Sequence, residues 1–266
     1  MKGDVSMFIL RWIEHLNDIP ILIIAACIFG ALGALIAVVA RRFVFPGFRR
    51  EEGEEKLAET VHTSILGFSA FILALALTSA FSNLAKVEEA IMQEALDISR
   101  LSRELGALGE PAAAAQAALK DYTRRVADEE WKTLGHTPPS LSPAAGQDLN
   151  TIWKEVRKLQ SNAALVPEQI RTPLNTFLDR IESARQSRLS FATYSLPEIF
   201  WTLIILFFIA AAIMDARHPH RKFGVAMIAS HMAVTGVVIA LVMIVDNPFS
   251  GQASIDPAII RNALNR

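Results

Sequence analysis

"GFSAFILALALTSAFSNLAKVEEAIMQEA", residues 67–95, opens as apolar as a membrane span and closes as charged as a solvated helix, with no proline and no glycine after Gly67 to interrupt it. A span needs about 20 mainly apolar residues to cross roughly 30 Å of hydrocarbon. The stretch from Ser64 to Phe81 comes close to that length. Beyond it Leu84, Val87, Ile91, Ala95, Ile98, Leu101 and Leu105 recur at three-four spacing, while Glu88, Glu89, Glu94 and Arg100 fall outside the apolar stripe. One unbroken helix leaving the bilayer accounts for both halves. From Val61 to Leu105 it is about 68 Å long at about 1.5 Å per residue.

The rest of the chain belongs to the same class. Of 266 residues 52% are hydrophobic, high for a soluble protein. The 26 basic and 27 acidic residues nearly cancel, so no global positive field points to nucleic acid. The single cysteine, Cys27, excludes an intramolecular disulfide and a cysteine-based zinc cluster.

Besides Ser64 to Phe81, three further segments read as spans: Ile19 to Ala40, Pro197 to Met214 and Phe223 to Val245, none containing Lys or Arg. Residues 1–18 precede them. Their short apolar run is broken by Arg11 and Glu14, which does not fit a signal peptide, and they read as an amphipathic interfacial helix with Phe8, Trp12 and Leu16 toward lipid. Arg41, Arg42, Arg49 and Arg50 follow the first span, and Arg217, Arg221 and Lys222 separate the third from the fourth, which predicts both loops to be cytoplasmic. The termini and the long central segment are then extracytoplasmic, in a multi-pass protein of the bacterial inner membrane. "RRFVFPGFRR" (41–50) suits anionic lipid headgroups, although topology marking alone explains its arginines. The layout is an interfacial helix (1–18), a first transmembrane pair (19–83), a helical-bundle insert (84–195), a second transmembrane pair (196–246) and a C-terminal tail (247–266).

The insert reads as helical throughout. Gly106 and Gly109 stop the long helix and Pro111 starts the next, which carries Leu119, Tyr122, Val126 and Leu134 up to Gly135. "GHTPPSLSPAAG" (135–146) reads as a loop, since proline and glycine do not continue a helix. A third helix starts at about Gln147 and uses Leu149, Ile152, Val156 and Leu159. A fourth starts at Pro167 and uses Ile170, Leu174, Phe177, Ile181 and Ala184. Together they predict an antiparallel bundle built on two membrane helices.

Signs of catalysis are absent from the sequence. His62, His136, His218, His220 and His231 are scattered, and "HPH" (218–220) is the one close pair, a weak metal signal in a turn. No Ser motif, Gly-rich phosphate loop or helical zinc pair occurs. The chain reads as no enzyme, with no metal and no cofactor. Polar groups at membrane depth are more informative, because charge there is expensive and usually faces a bundle interior or water. Glu198, Asp215 and Asp246 lie at span ends. His231 lies inside the fourth span and calls for a partner.

The second span mixes Thr63, Ser64, Gly67, Ser69, Ala70 and Ala74 with Phe68, Phe71 and Leu75. Small faces let membrane helices pack closely. A sharper reading has this helix from several subunits surround an axis. Phe68, Phe71 and Leu75 then form an apolar constriction that gates by dewetting, Thr78, Ser79, Ser82 and Asn83 line a wetter section, and Glu88, Glu89 and Glu94 ring the vestibule. Acidic rings favour cations.

Three segments in order, "EEAIMQEALDISRL" (88–101), "YTRRVADEEW" (122–131) and "DNPFSG" (246–251), resemble the landmarks of the bacterial bestrophin-like domain family, and the resemblance covers nearly the whole chain. It implies an all-α membrane protein with four transmembrane helices and a helical insert between the second and third. By its name the family is similar to bestrophins, pentameric chloride-conducting channels with a hydrophobic neck on the second membrane helix and a cytoplasmic insert. Two departures stand out. The basic loops here place the insert outside, and the acidic cluster that binds calcium in the animal proteins has no evident counterpart.

The expected function is a homo-oligomeric ion channel with a pore lined by the second transmembrane helix, a pentamer by analogy, whose partners are the lipid bilayer, permeant ions and itself. Its selectivity is open between anions, by the bestrophin analogy, and cations, by the acidic residues after the helix. The alternative is a membrane sensor or interaction protein whose bundle binds a ligand or partner.

Overall fold

The computed structural model describes residues 18–44, 52–162, 166, 168–217, 222–251 and 254–265. The interfacial helix with Phe8, Trp12 and Leu16 lies outside the described residues, as do Arg49, Arg50, Pro167, His218, His220 and Arg221. The helices are α1 (Asp18–Phe43), α2 (Glu52–Ala107), α3 (Ala113–Arg125), α4 (Trp131–Leu134), α5 (Pro143–Gln160), α6 (Glu168–Thr193), α7 (Glu198–Asp215), α8 (Lys222–Val245) and α9 (Ala258–Arg261). No strand occurs among the described residues. Four helices are long and apolar enough to cross a membrane, so the chain is an all-α membrane protein.

The helix of the opening stretch is continuous. It also begins earlier than Val61, at Glu52, and its 56 residues span about 84 Å. The added turns are rich in Glu, Ala, Leu and Lys, which favour helix where packing does not decide. Past Ala107 the chain turns through Gly109, whose φ of 70° is left-handed and open to glycine, before Pro111 enters a short 3-10 turn ahead of α3. The segment 135–146, expected to be loop throughout, already becomes helix at Pro143. Ser142 supplies the reason: its Oγ accepts from the Ala145 N–H at 3.3 Å, and Pro143 occupies the first helical position.

The chain divides into two compact units. The membrane unit contains α1, α2 up to Ser82, α7 and α8. Its core is built from Ala37, Ala40, Leu73, Ala76, Phe208, Ala212, Met232 and Val242. Small residues bring α1 and α8 together, as expected where lipid removes the hydrophobic drive between helices. A Cβ on Gly30 would lie 2.9 Å from the Ala229 carbonyl oxygen, and one on Gly236 would collide with the Phe29 side chain. Phe29 in turn meets Phe208 of α7 edge-on, with ring centroids 5.3 Å apart. Gly236→Leu is therefore expected to destabilise the protein by about 1–3 kcal/mol through overpacking, read as a lower thermal midpoint in mild detergent. An unchanged midpoint would mean that α1 and α8 do not meet at this contact.

The bundle unit begins at Asn83 and includes the chain to Tyr194 together with the segment from Asn247 on. Val87, Ile91, Ala95, Ile98, Leu101 and Leu105 of α2 are fully buried, so the three-four stripe faces the core. Leu119 and Tyr122 of α3, Ile152 and Val156 of α5, and Leu174, Leu178 and Ile181 of α6 complete it. Burying a side chain of this size is worth roughly 1.5–3 kcal/mol. The segment after the last span, set apart by sequence as a tail, joins this core through Phe249, Ile255, Ile260 and Ala263. A short stretch broken by Pro248, Gly251 and Pro257 gives no periodic signal, and its partners Trp131 and Asp128 lie more than a hundred residues earlier.

Candidate functional site

Helical periodicity sorts the pore candidates on α2. Phe68, Phe71 and Leu75 are 61%, 59% and 42% exposed, and Thr78 and Ser82 continue the same face at three-four spacing. Leu73, Ala76 and Ala80 turn inward to the membrane unit. The Thr78 hydroxyl donates to the Ala74 carbonyl at 2.8 Å, which satisfies its proton within the helix and leaves a lone pair outward. Phe68 stacks beside Phe207 of α7, with ring centroids 6.3 Å apart. Ser79 lies half-buried at the edge of the stripe.

Beyond Ser82 the expected lining divides. Glu89 keeps the phase of the stripe, and Glu88 is exposed on another side of the helix. Asn83, at 9% exposure, and Glu94, at 1%, face inward. The reason is geometric: at about 3.6 residues per turn they lie a quarter to a third of a turn from the Phe71–Leu75 face. Glu94 is thus no vestibule group, because added copies of the chain leave a residue buried by its own bundle buried.

Glu94 instead joins a charged network inside the bundle. Arg188 of α6 donates to Glu94 and, at 2.7 Å, to Glu130, and the Tyr122 hydroxyl donates to Glu94 at 3.2 Å. Arg185 donates to Glu130 at 2.7 Å and to the Ser142 carbonyl at 2.7 Å, while the Ser142 N–H donates to Glu130 at 2.9 Å. Two guanidiniums thus neutralise two carboxylates. A π turn, Val126–Glu130, ends where Glu130 turns into the core. Burial first, and then the Glu94 charge, push the Tyr122 phenol far above its usual range, so it stays a donor. For Arg188 burial opposes the charge, but Glu94, Tyr122 and Glu130 outweigh it and hold the guanidinium protonated. Burial pushes Glu94 up against the pull of Arg188.

Next along the chain, the Trp131 indole N–H donates to the Ile255 carbonyl at 3.0 Å and its ring meets Phe249 edge-on at 5.3 Å. A Cβ on Gly135 would lie 2.8 Å from the Phe249 carbonyl oxygen, so the chain after the last span lies against backbone there. All three sequence landmarks therefore meet in the bundle. Sequence reasoning missed Arg185 and Arg188. Their signal was available: with Ile181 they fall at four- and three-residue steps on the buried face of α6, and arginine on an apolar stripe requires carboxylate partners.

His231 does find a partner. Its Nδ1 lies 3.6 Å from Asp215 Oδ2, and Asp215 Oδ1 lies 3.6 Å from His62 Nε2 on α2. Arg217 Nη2 lies 3.0 Å from His62 Nδ1, and Arg41 of α1 donates to the Arg217 carbonyl at 3.3 Å. Asp246 has a different task, accepting the Leu196 N–H at 3.1 Å where the chain re-enters the membrane unit. Among the described residues no group of three His, Cys, Asp or Glu is arranged to hold a metal ion.

A family model described as Bestrophin-like domain matches residues 27–260. No curated protein matches the chain. Two crystal structures of a bacterial Bestrophin homolog from Klebsiella pneumoniae share its fold. One, of a point mutant, has a TM-score of 0.68 at 12% identity, covering 94% of this chain and 98% of that one. The other, solved by Zn-SAD phasing, has a TM-score of 0.66 at 14% identity, covering 91% and 97%.

Proposed function

The chain belongs to the bestrophin-like domain family, and from that premise we propose that it is a homo-oligomeric ion channel whose pore is lined by α2. The observation that carries this reading is the mixed character of the exposed α2 face. Apart from residues such as Thr202 and Phe43 near helix ends, most exposed positions on α1 and α7, Ile23, Ile28, Leu35, Ile205 and Leu206 among them, are aliphatic, as lipid favours. On α2 the exposed face passes from Phe68, Phe71 and Leu75 to Thr78 and Ser82, a sequence that suits a dry neck opening into a wetter section.

A neighbouring side of α2 supplies the means of assembly. Thr63, Gly67, Ala70 and Ala74 recur at four- and three-residue steps and are exposed. A Cβ on Gly67 would meet nothing within 4 Å, so among the described residues its small size serves no contact. Close approach of α2 from an adjacent copy uses it. Five copies follow from the analogy with bestrophins. The acidic vestibule shrinks to Glu89, with Glu88 beside it, and Lys86 and Arg100 are exposed on the same helix, so a strong preference for cations loses its basis. Chloride conduction, as in bestrophins, is the proposed outcome.

The test is the oligomer count in mild detergent followed by reconstitution into planar bilayers. A symmetric multimer with single-channel currents that reverse near the chloride potential in a salt gradient is expected. A monomer, or a multimer silent in every salt, overturns the channel. The proposed setting is the bacterial inner membrane with the bundle outside, which follows from Arg41, Arg42, Arg217 and Lys222. A cysteine placed at Ser140 should react with an impermeant reagent on whole cells, and protection would reverse that orientation.

A further inference from the structure

We infer that His231 and Asp215 form a proton-binding pair whose state is passed through His62 to α2, so that conduction responds to pH where imidazoles titrate; the last step alone rests on the channel reading. A guanidinium only donates, so the 3.0 Å contact from Arg217 makes His62 Nδ1 an acceptor and places the His62 proton on Nε2, toward Asp215. His62 is thereby held in one neutral tautomer. His231 is different, since its Nδ1 faces the carboxylate alone in this cluster. One proton on His231 turns that contact into an ion pair.

The distances fit a device with two settings. At 3.6 Å both Asp215 contacts are longer than a hydrogen bond, and each carboxylate oxygen faces a different imidazole. When protonated His231 draws in Oδ2, Oδ1 shifts relative to His62, so a charge added on α8 is felt on α2 through the last residue of α7. Among the described residues, charge also comes from the ends of the packed helices. Arg217 follows α7, Arg41 and Arg42 end α1, which is otherwise uncharged from Ile19 on, and Glu55 and Glu59 precede His62 on α2. Asp215 and Arg217 are both buried, while the His231 side chain is 39% exposed and can take up a proton. An ionisable group inside a span, as His231 is, is costly to keep without such a task, and histidine is the side chain that changes charge near neutral pH.

The experiment has two readouts. The first is the thermal midpoint in mild detergent between about pH 5.5 and about pH 8, either side of an ordinary imidazole. A proton held between His231 and Asp215 by the fold adds stability at the acidic end, where it is bound, and that stability is lost as pH rises. Wild type is expected to lose about 2–4 °C across that range, and His231→Gln and Asp215→Asn to lose none of it. The second is chloride flux from phosphatidylethanolamine–phosphatidylglycerol vesicles. Wild type should change at least about fivefold over the same range, a modest coupling between sites, and His62→Gln should abolish that change while keeping the stability slope. A wild-type slope retained in both His231→Gln and Asp215→Asn overturns the proton site. An unaltered pH response of flux in His62→Gln overturns the coupling to α2. Absent flux at every pH with the stability slope intact leaves the proton site standing and sinks the channel reading.

Discussion

Replacing Arg188 with alanine is expected to destabilise the bundle by about 3–5 kcal/mol, the usual cost of stripping one partner from a buried ion pair. Arg188 is 1% exposed and bridges Glu94 and Glu130, which are as deeply buried. Its removal leaves two carboxylates and one guanidinium, that of Arg185, which reaches Glu130 alone and leaves Glu94 uncompensated. Water does not enter a core closed by Ile91, Leu119, Ile152 and Leu178 to solvate the Glu94 charge. Arg188→Lys rescues little, because an ammonium lacks the planar fork that spans two carboxylates. Far-UV circular dichroism during urea unfolding checks this, together with protease cleavage in 135–142, where Ser142 is tied to Glu130 and Arg185. A cost below about 1 kcal/mol would show that the network is solvated and contributes as a surface pair does. The double variant Glu94→Gln with Arg188→Met should lose less than the sum of its parts, since it removes the uncompensated charge.

That network shows what sequence does and does not disclose. Val87, Ile91, Ala95, Ile98, Leu101 and Leu105 declare a buried face by spacing alone, because every turn of the helix repeats the same environment. The spans are equally legible, since hydrocarbon thickness fixes their length. Glu94 is the instructive failure. Its spacing from Ile91 and Ile98 places it on the buried stripe, but a glutamate there does not name its partners, and Tyr122, Glu130 and Arg188 are contributed by segments up to 94 residues away. The same holds for Phe249 and Trp131, whose contact joins the chain's end to its middle. Local pattern reports which face a residue occupies; it does not report that a distant arginine has arrived to neutralise it. The His62–Asp215–His231 contacts were hidden for that reason too, although His231 inside a span signalled that a partner was needed.

Cutting the neck side chains to alanine, in Phe71→Ala with Leu75→Ala, is expected to raise ion flux through reconstituted protein at least about tenfold, the change that follows from lowering a barrier by ~1.4 kcal/mol. An apolar constriction impedes ions because water leaves it, and an ion entering a dry gap forfeits its hydration. Phe71 and Leu75 lie one helical turn apart on the exposed face of α2, so in the proposed pore each alone leaves the other to keep the passage dry. The single variants should therefore raise flux much less than the pair. Leu35→Ala supplies the control, being as exposed as Phe71 but on the aliphatic face of α1 that the proposal assigns to lipid. If the double variant and Leu35→Ala leave flux equally unchanged in a conducting oligomer, α2 faces lipid and some other helix encloses the pore. If both raise it equally, the leak reports loosened packing and the neck assignment fails on that ground. A large rise confined to the α2 pair is the outcome that a hydrophobic gate predicts, because only there does losing apolar surface let water in.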